Sequence, residues 1–299
     1  MRAMAKPAPC TVFLHIPKTG GVTLRGALRQ KYPGRVITLH SPREPARVGQ
    51  LPLAERRSAR ILTGHLPHGV DRYMPQGCDY ITMLREPVAR AVSTYHHVLD
   101  HPQHWFHEEV VRNEMGLEDF VEAVAGPMDN LQTRLLSGRV EGELVTRAPG
   151  QVEVTRLGTE VLNRARANLD RFLVVGLTER FDESVILVRR ALGWRLPMYA
   201  KRNAARGQRR PPPSDRASEL ISERDRLDMA LYEHAQRVLA AAIEREGLSF
   251  PREVAAFRVL NRIPNAVGPR VPAPLRNPVR SLRRRHRPLA QQGPPAARR

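Results

Sequence analysis

The stretch TVFLHIPKTGGVTL, residues 11–24, sets the first constraint. Its apolar opening shows no alternation, stops at Pro17, passes through Lys-Thr-Gly-Gly and resumes with a helical pattern. A strand that becomes a helix within a few residues starts a βα unit, and unalternated apolar runs suit a parallel sheet covered on both faces. Three more runs repeat the unit, at Val36–His40, Arg60–Thr63 and Tyr80–Leu84, and FLVVGL at Phe172–Leu177 supplies a fifth strand. The predicted class is α/β, a parallel β-sheet flanked by helices.

Helical periodicity fills the gaps. Phe181, Val185, Val188 and Leu192 fall at i, i+4, i+7 and i+11 and end at Gly193. Leu220, Leu227, Leu231, Val238 and Ala242 predict one long helix ending near Gly247, and MDNLQTRLLSG predicts a short helix stopped by a glycine cap at Gly138. Two segments break the pattern. YAKRNAARGQRRPPPSD, Tyr199–Asp215, reads as a loop; from about Arg262 the chain is rich in Pro, Arg and Ala and reads as disordered. The expected organisation is an N-terminal segment at 1–10, a folded domain at 11–250 and a basic tail at 262–299.

Charge narrows the partners. The chain carries 49 Lys+Arg against 30 Asp+Glu, a formal +19, and the ten arginines from Arg262 to Arg299 supply about half of it with no acid among them. Such a balance suits an anionic ligand, a polyanion or an anionic membrane surface. Cys10 and Cys78 stand outside any metal-binding spacing and read as reduced thiols. The N-terminus has no apolar leader, and no run of about 18 apolar residues occurs, so a cytoplasmic location is expected.

Within this frame Lys-Thr-Gly-Gly reads either as a tight turn with a surface lysine or as an anion site. A strand–turn–helix junction aims backbone N–H groups and the positive end of a helix dipole at one spot. Gly20 and Gly21 let the backbone curl round an oxyanion, Lys18 adds a positive charge, and Thr19 and Thr23 add hydroxyls. Because the lysine precedes the glycines, the order differs from that of nucleoside triphosphatases. ITMLREPVARAVSTYHHV, Ile81–Val98, forms a second junction, with Pro87 at an early helical position, Arg85 at the strand end and Ser93 two turns along the helix. Two anion sites on neighbouring units imply a ligand with a phosphate-like group at each end.

HIPKTGG followed by LREPVARAVSTY resembles the paired cofactor motifs of sulfotransferases that use 3′-phosphoadenosine-5′-phosphosulfate (PAPS), and among them the carbohydrate branch that includes heparan sulfate 2-O-sulfotransferases. TGH at Thr63–His65, NLQTRLLSG at Asn130–Gly138 and VGLTERFDESVILVRRALGW at Val175–Trp194 are similar to this family in its order. The resemblance implies a P-loop-like sheet. It implies that Lys18, Thr19, Gly20, Gly21, Val22 and Thr23 hold the 5′-phosphosulfate and that Arg85 and Ser93 hold the 3′-phosphate. Val22 departs from the family's usual threonine or serine. Lys201 and Arg202, with Asn203, would close over the cofactor, or else form a solvated basic run.

The implied reaction is in-line transfer of a sulfuryl group from PAPS to a hydroxyl of a carbohydrate or glycoconjugate. Positioning and electrostatics dominate such a transfer, with Lys18 neutralising the leaving oxygen and no metal required. A histidine base would take the hydroxyl proton, since imidazole has an ordinary pKa of about 6.5. His65 matches the family's Gly-His position and His68 follows three residues later; capping of the strand end is the plain alternative for His65. Five histidines in YHHVLDHPQHWFHEE suggest an exposed acceptor-side loop with Trp105, because Pro102 interrupts the helix a zinc pair would need. Two other readings stand beside this one: a small-molecule kinase with a similar phosphate loop, and a non-enzymatic binder of nucleic acid or another polyanion through the tail.

Overall fold

The computed structural model describes residues 10–39, 46–124, 128–138, 157–194 and 212–267, with the side chains of the last segment described to residue 261. In chain order the elements are β1 (Cys10–Leu14), α1 (Gly21–Lys31), β2 (Val36–Leu39), α2 (Ala46–Gln50), α3 (Leu53–Ser58), β3 (Ile61–Gly64), a 3-10 turn (Val70–Tyr73), β4 (Cys78–Leu84), α4 (Pro87–Asp100), α5 (His107–Arg112), α6 (Leu117–Ala123), α7 (Leu131–Ser137), α8 (Thr159–Leu169), β5 (Val174–Leu177), α9 (Phe181–Ala191), α10 (Asp215–Arg224), α11 (Arg226–Arg245) and α12 (Ser249–Val267).

The five strands form one all-parallel sheet in the order β2-β3-β1-β4-β5. Every residue of β1 is buried, as its unalternated sequence requires of a central strand. Leu14 lies opposite Gly64 of β3 on one side and Thr82 of β4 on the other. The turns after β1, β3 and β4 therefore open on one edge. The chain leaves β1 for the β2–β3 side and later crosses to β4, so a crevice forms at that carboxyl edge where the strand order reverses.

Helices from both halves of the chain cover the sheet in one large apolar cluster, to which α12 contributes Phe250, Val254 and Phe257. α12 continues to Val267, so helix extends into the start of the arginine-rich tail. A smaller cluster, with Val98, Phe106, Val110, Phe120 and Ile221 at its centre, joins the outer part of α4 to α5, α6 and α10.

The single long helix expected over 220–247 is two. The break falls at Asp225, whose backbone ends α10 and whose carboxylate accepts from the Asn130 N–H (2.6 Å) and pairs with Arg90 (3.0 Å). Those long-range bonds outweigh local helical propensity. No helix among the described residues is long and apolar enough to cross a membrane.

Candidate functional site

The loop after β1 is held in an unusual backbone shape. Lys18 has φ +68° and Gly20 φ +76°, both left-handed, and for lysine that conformation carries a steric cost. Thr19 is fully buried and its hydroxyl donates to the Ile16 carbonyl (2.8 Å). This corrects one detail of the sequence reading: the Thr19 O–H is spent inside the loop. α1 then begins at Gly21 with no side-chain cap and no acid in its first turn. Among its own first-turn residues no carboxylate competes for the positive end of its dipole.

Both glycines are required by close approach. A Cβ on Gly21 would lie 2.0 Å from His15 Cδ2, and one on Gly20 would lie 3.0 Å from Phe181 Cε2. His15, quoted in the motif but given no role by the sequence, is the floor of the loop. It is buried, stacked on Phe13 at 5.5 Å and tilted against His65 at 5.0 Å. Burial, with His65, Arg25 and Lys18 adding to it, lowers its pKa to about 2, and its Nδ1 has no hydrogen-bond partner. A neutral imidazole thus sits beneath the loop.

Arg85 arrives from the end of β4. Its Nη1 donates to the Lys18 carbonyl (3.2 Å), which fastens the second junction to the first. Its Nε is buried without a partner, and burial lowers its pKa while Glu179 and Glu86 oppose that shift. The start of α4 differs from that of α1: the Glu86 carboxylate caps it, accepting from Val88 N (2.9 Å) and Ala89 N (2.6 Å), with Pro87 following. An anion here meets the Arg85 side chain, not helix amides. Ser93 stands half-buried two turns along α4.

A buried polar network behind the crevice escaped the sequence reading. Gln132 holds both backbone groups of Arg85, accepting from its N–H (3.1 Å) and donating to its carbonyl (2.9 Å). Asp228 in turn holds α7, accepting from Gln132 N (3.0 Å), Thr133 N (2.7 Å) and the Thr133 hydroxyl (2.7 Å). Arg90 lies between Asp225 and Asp228, at 3.0 and 3.7 Å. Burial pushes both carboxyls up and Arg90 pulls them back. Asn130, in left-handed backbone, accepts from Leu227 N (2.8 Å) and Asp228 N (3.2 Å). The NLQT sequence is therefore a clamp that sets where Arg85 leaves the sheet. Its acidic partners, almost a hundred residues later, gave no local signal.

The structure separates the two base candidates. His65 follows β3 at the crevice edge, beside His15. His68 is packed against Tyr80 (4.7 Å) and Phe172 (5.8 Å), its N–H donating to the Leu135 carbonyl (2.8 Å). The later histidines gather round the end of α4: His97 is 3.9 Å from His101 and 5.9 Å from His104 between ring centroids, and His104 is 5.7 Å from Trp105. Burial lowers His97 to about 4, with Lys18, His101 and His104 contributing, and Lys18 also contributes to the lowering of His104. The histidine wall is thus within electrostatic reach of the lysine in the loop. Among the described residues no group of three or more His, Cys, Asp or Glu is arranged to hold a metal ion. Lys201, Arg202 and Asn203 lie outside the described residues.

A family model described as galactose-3-O-sulfotransferase matches residues 147–266. That stretch includes α8, β5 and α9 to α11, and ends within α12; the loop at 17–23, His65 and Arg85 precede it. No curated protein matches the chain. Residues 147–266 are thus similar to a family of carbohydrate sulfotransferases, a likeness that marks the chain as an enzyme. The matching branch is galactose-3-O, and the heparan 2-O branch gains no support from it.

Proposed function

We propose that this enzyme transfers the sulfuryl group of PAPS to a hydroxyl of a galactose-containing acceptor. The observation that carries the reading is the bond from Arg85 Nη1 to the Lys18 carbonyl at 3.2 Å, which fastens the arginine to the backbone of the loop at the carboxyl edge of the sheet, in a chain whose later part is similar to a galactose-3-O-sulfotransferase family. The residues fit an anionic nucleotide: α1 opens without a cap or an acid, and Arg85 Nε is buried with no partner.

In this reading Lys18 and the backbone of Thr19, Gly20, Gly21, Val22 and Thr23 hold the 5′-phosphosulfate. Val22 offers only its main chain, so its departure from threonine or serine costs a hydroxyl contact and not the site. Arg85 and Ser93 hold the 3′-phosphate. Bound PAPS supplies an activated sulfuryl group with a phosphate leaving group. Lys18 neutralises charge on the leaving oxygen, and His65 accepts the proton of the attacking hydroxyl. Its neighbour His15, kept neutral by burial, adds no charge to repel the protonated imidazole.

The test is sulfation of lactose or a galactoside with labelled PAPS. Wild type should yield a sulfated sugar, and His65→Ala and Lys18→Ala should each lower kcat by about a hundredfold or more. A folded wild type that sulfates no galactoside, or a His65→Ala enzyme of full activity, would contradict the reading or the assignment of the base.

A further inference from the structure

We propose that Trp105 and the imidazoles of His104 and His97 form the subsite that binds the acceptor sugar, with Trp105 as a stacking platform for a galactose-type pyranose. This deepens the function proposed above and rests on it for the identity of the sugar.

Trp105 is 59 % exposed, although tryptophan is a side chain whose burial folding strongly favours. It is nevertheless held in place. His104 lies at 5.7 Å and 30° to it, and Phe106, tilted against it at 5.0 Å, is anchored in the smaller apolar cluster. The part of the indole that these rings leave exposed presents a flat apolar surface with one N–H donor at its rim. A galactose-type pyranose has a matching apolar face of C–H groups, with hydroxyls round the edge that need donors and acceptors.

The histidines supply those partners in a line. From Trp105 the rings run to His104 and then to His97, 5.9 Å farther. His97 is four residues after Ser93 on α4, so the two share one stripe of the helix that rises from Arg85. The line therefore leads from the exposed platform towards the carboxyl edge of the sheet. Independently, the ammonium of Lys18 contributes to lowering the pKa of both His97 and His104. Below-normal pKa values leave these rings neutral near pH 7, each with one donor and one acceptor nitrogen. His104 Nδ1 accepts from the Phe106 N–H (3.3 Å), so its Nε2–H is the group that would donate to a sugar hydroxyl, and neither neutral ring adds charge to repel the basic loop.

The protein provides its own probe. It has two tryptophans, and Trp194 is buried with its indole N–H bonded to the Tyr32 hydroxyl at 3.0 Å, so a sugar-dependent change in emission reports Trp105. The experiment titrates the full chain with methyl β-D-galactopyranoside, following emission in wild type and ligand NMR signals in wild type, Trp105→Ala and Trp105→Phe. In parallel, each protein is titrated with 3′-phosphoadenosine-5′-phosphate, the expected product of the donor.

Trp105→Ala should weaken galactoside binding by about tenfold, equivalent to about 1.4 kcal/mol, while Trp105→Phe restores most of it and bisphosphate affinity stays unchanged. Wild type that shows no emission change and no galactoside binding overturns the subsite, as does a Trp105→Ala protein that binds the sugar like wild type. Failure of the bisphosphate to bind would overturn the donor reading alone, because the sugar titration needs no nucleotide.

Discussion

Gln132 grips Arg85 by its main chain at both ends, its amide accepting from the Arg85 N–H at 3.1 Å and donating to the Arg85 carbonyl at 2.9 Å. Gln132 is buried, so nothing else can take over those bonds. Its truncation leaves two backbone groups unpaired and lets the arginine drift from the loop. Gln132→Ala should lower unfolding stability by about 1–3 kcal/mol. It should also weaken binding of 3′-phosphoadenosine-5′-phosphate by about tenfold. Urea denaturation and calorimetry read the two effects, and unchanged affinity in a destabilised protein would confine Gln132 to structure.

The pair Arg90 and Asp228 makes a separate demand on stability. Asp228 is fully buried, and it ties α11 to the start of α7 through three hydrogen bonds. Asp228→Ala strands those donors and leaves Arg90 with Asp225 as its remaining carboxylate within 4 Å among the described residues. The expected loss is about 3–5 kcal/mol by denaturant unfolding. A loss below about 1 kcal/mol would mean that the network is not closed as described.

The Gly21 position predicts a lesion of the loop itself. A methyl group there would meet His15 Cδ2 at 2.0 Å, and His15 is enclosed by Phe13 and His65. The ring has nowhere to retreat, so Gly21→Ala should abolish bisphosphate binding, whereas the paired variant Gly21→Ala/His15→Ala, with the obstacle removed, should regain part of it. Calorimetric titration of both distinguishes this from general unfolding.

His15 also gives a pH dependence with a definite sign. Its pKa is about 6.5 in an unfolded chain and about 2 when folded. Above the unfolded value both states are neutral and the stabilisation is complete. As pH falls through the window from about 6.5 towards 2, only the unfolded state takes up the proton, so stability is lost at up to about 1.4 kcal/mol per pH unit. Between pH 6.5 and 5 the stability of wild type should fall more steeply than that of His15→Gln, by up to one proton. Equal slopes in the two proteins would show that His15 titrates normally.

The five strands were legible because a parallel sheet buries both faces, and its strands stand out as unbroken apolar runs such as VFL and FLVVGL. The position of the loop was legible too, since the apolar run stops at Pro17 and a helical pattern resumes after Gly21. What could not be read depends on distant partners. The bend at Asp225 needs Arg90, 135 residues earlier, to draw its carboxylate inward. His15 looks like any strand residue until Gly21 closes over it. His65 and His68 are three residues apart in sequence, and only the path of the chain back across the sheet sets one at the crevice and the other against Tyr80. The histidine-rich stretch announced itself by composition, but its approach to Lys18 is a property of how α4 leaves the sheet.

In the proposed function the loop after β1 and the arginine after β4 together receive a nucleotide with phosphates at both its 3′ and 5′ ends. Calorimetric titration of the full chain with 3′-phosphoadenosine-5′-phosphate tests it most directly, against Lys18→Ala, Arg85→Ala and, as a control ligand, ATP with Mg²⁺. Saturable binding by wild type, weakened at least about tenfold by either substitution and absent for ATP, is the predicted result. A folded wild type that does not bind the bisphosphate, or binds it equally well without Lys18 and Arg85, would contradict the account.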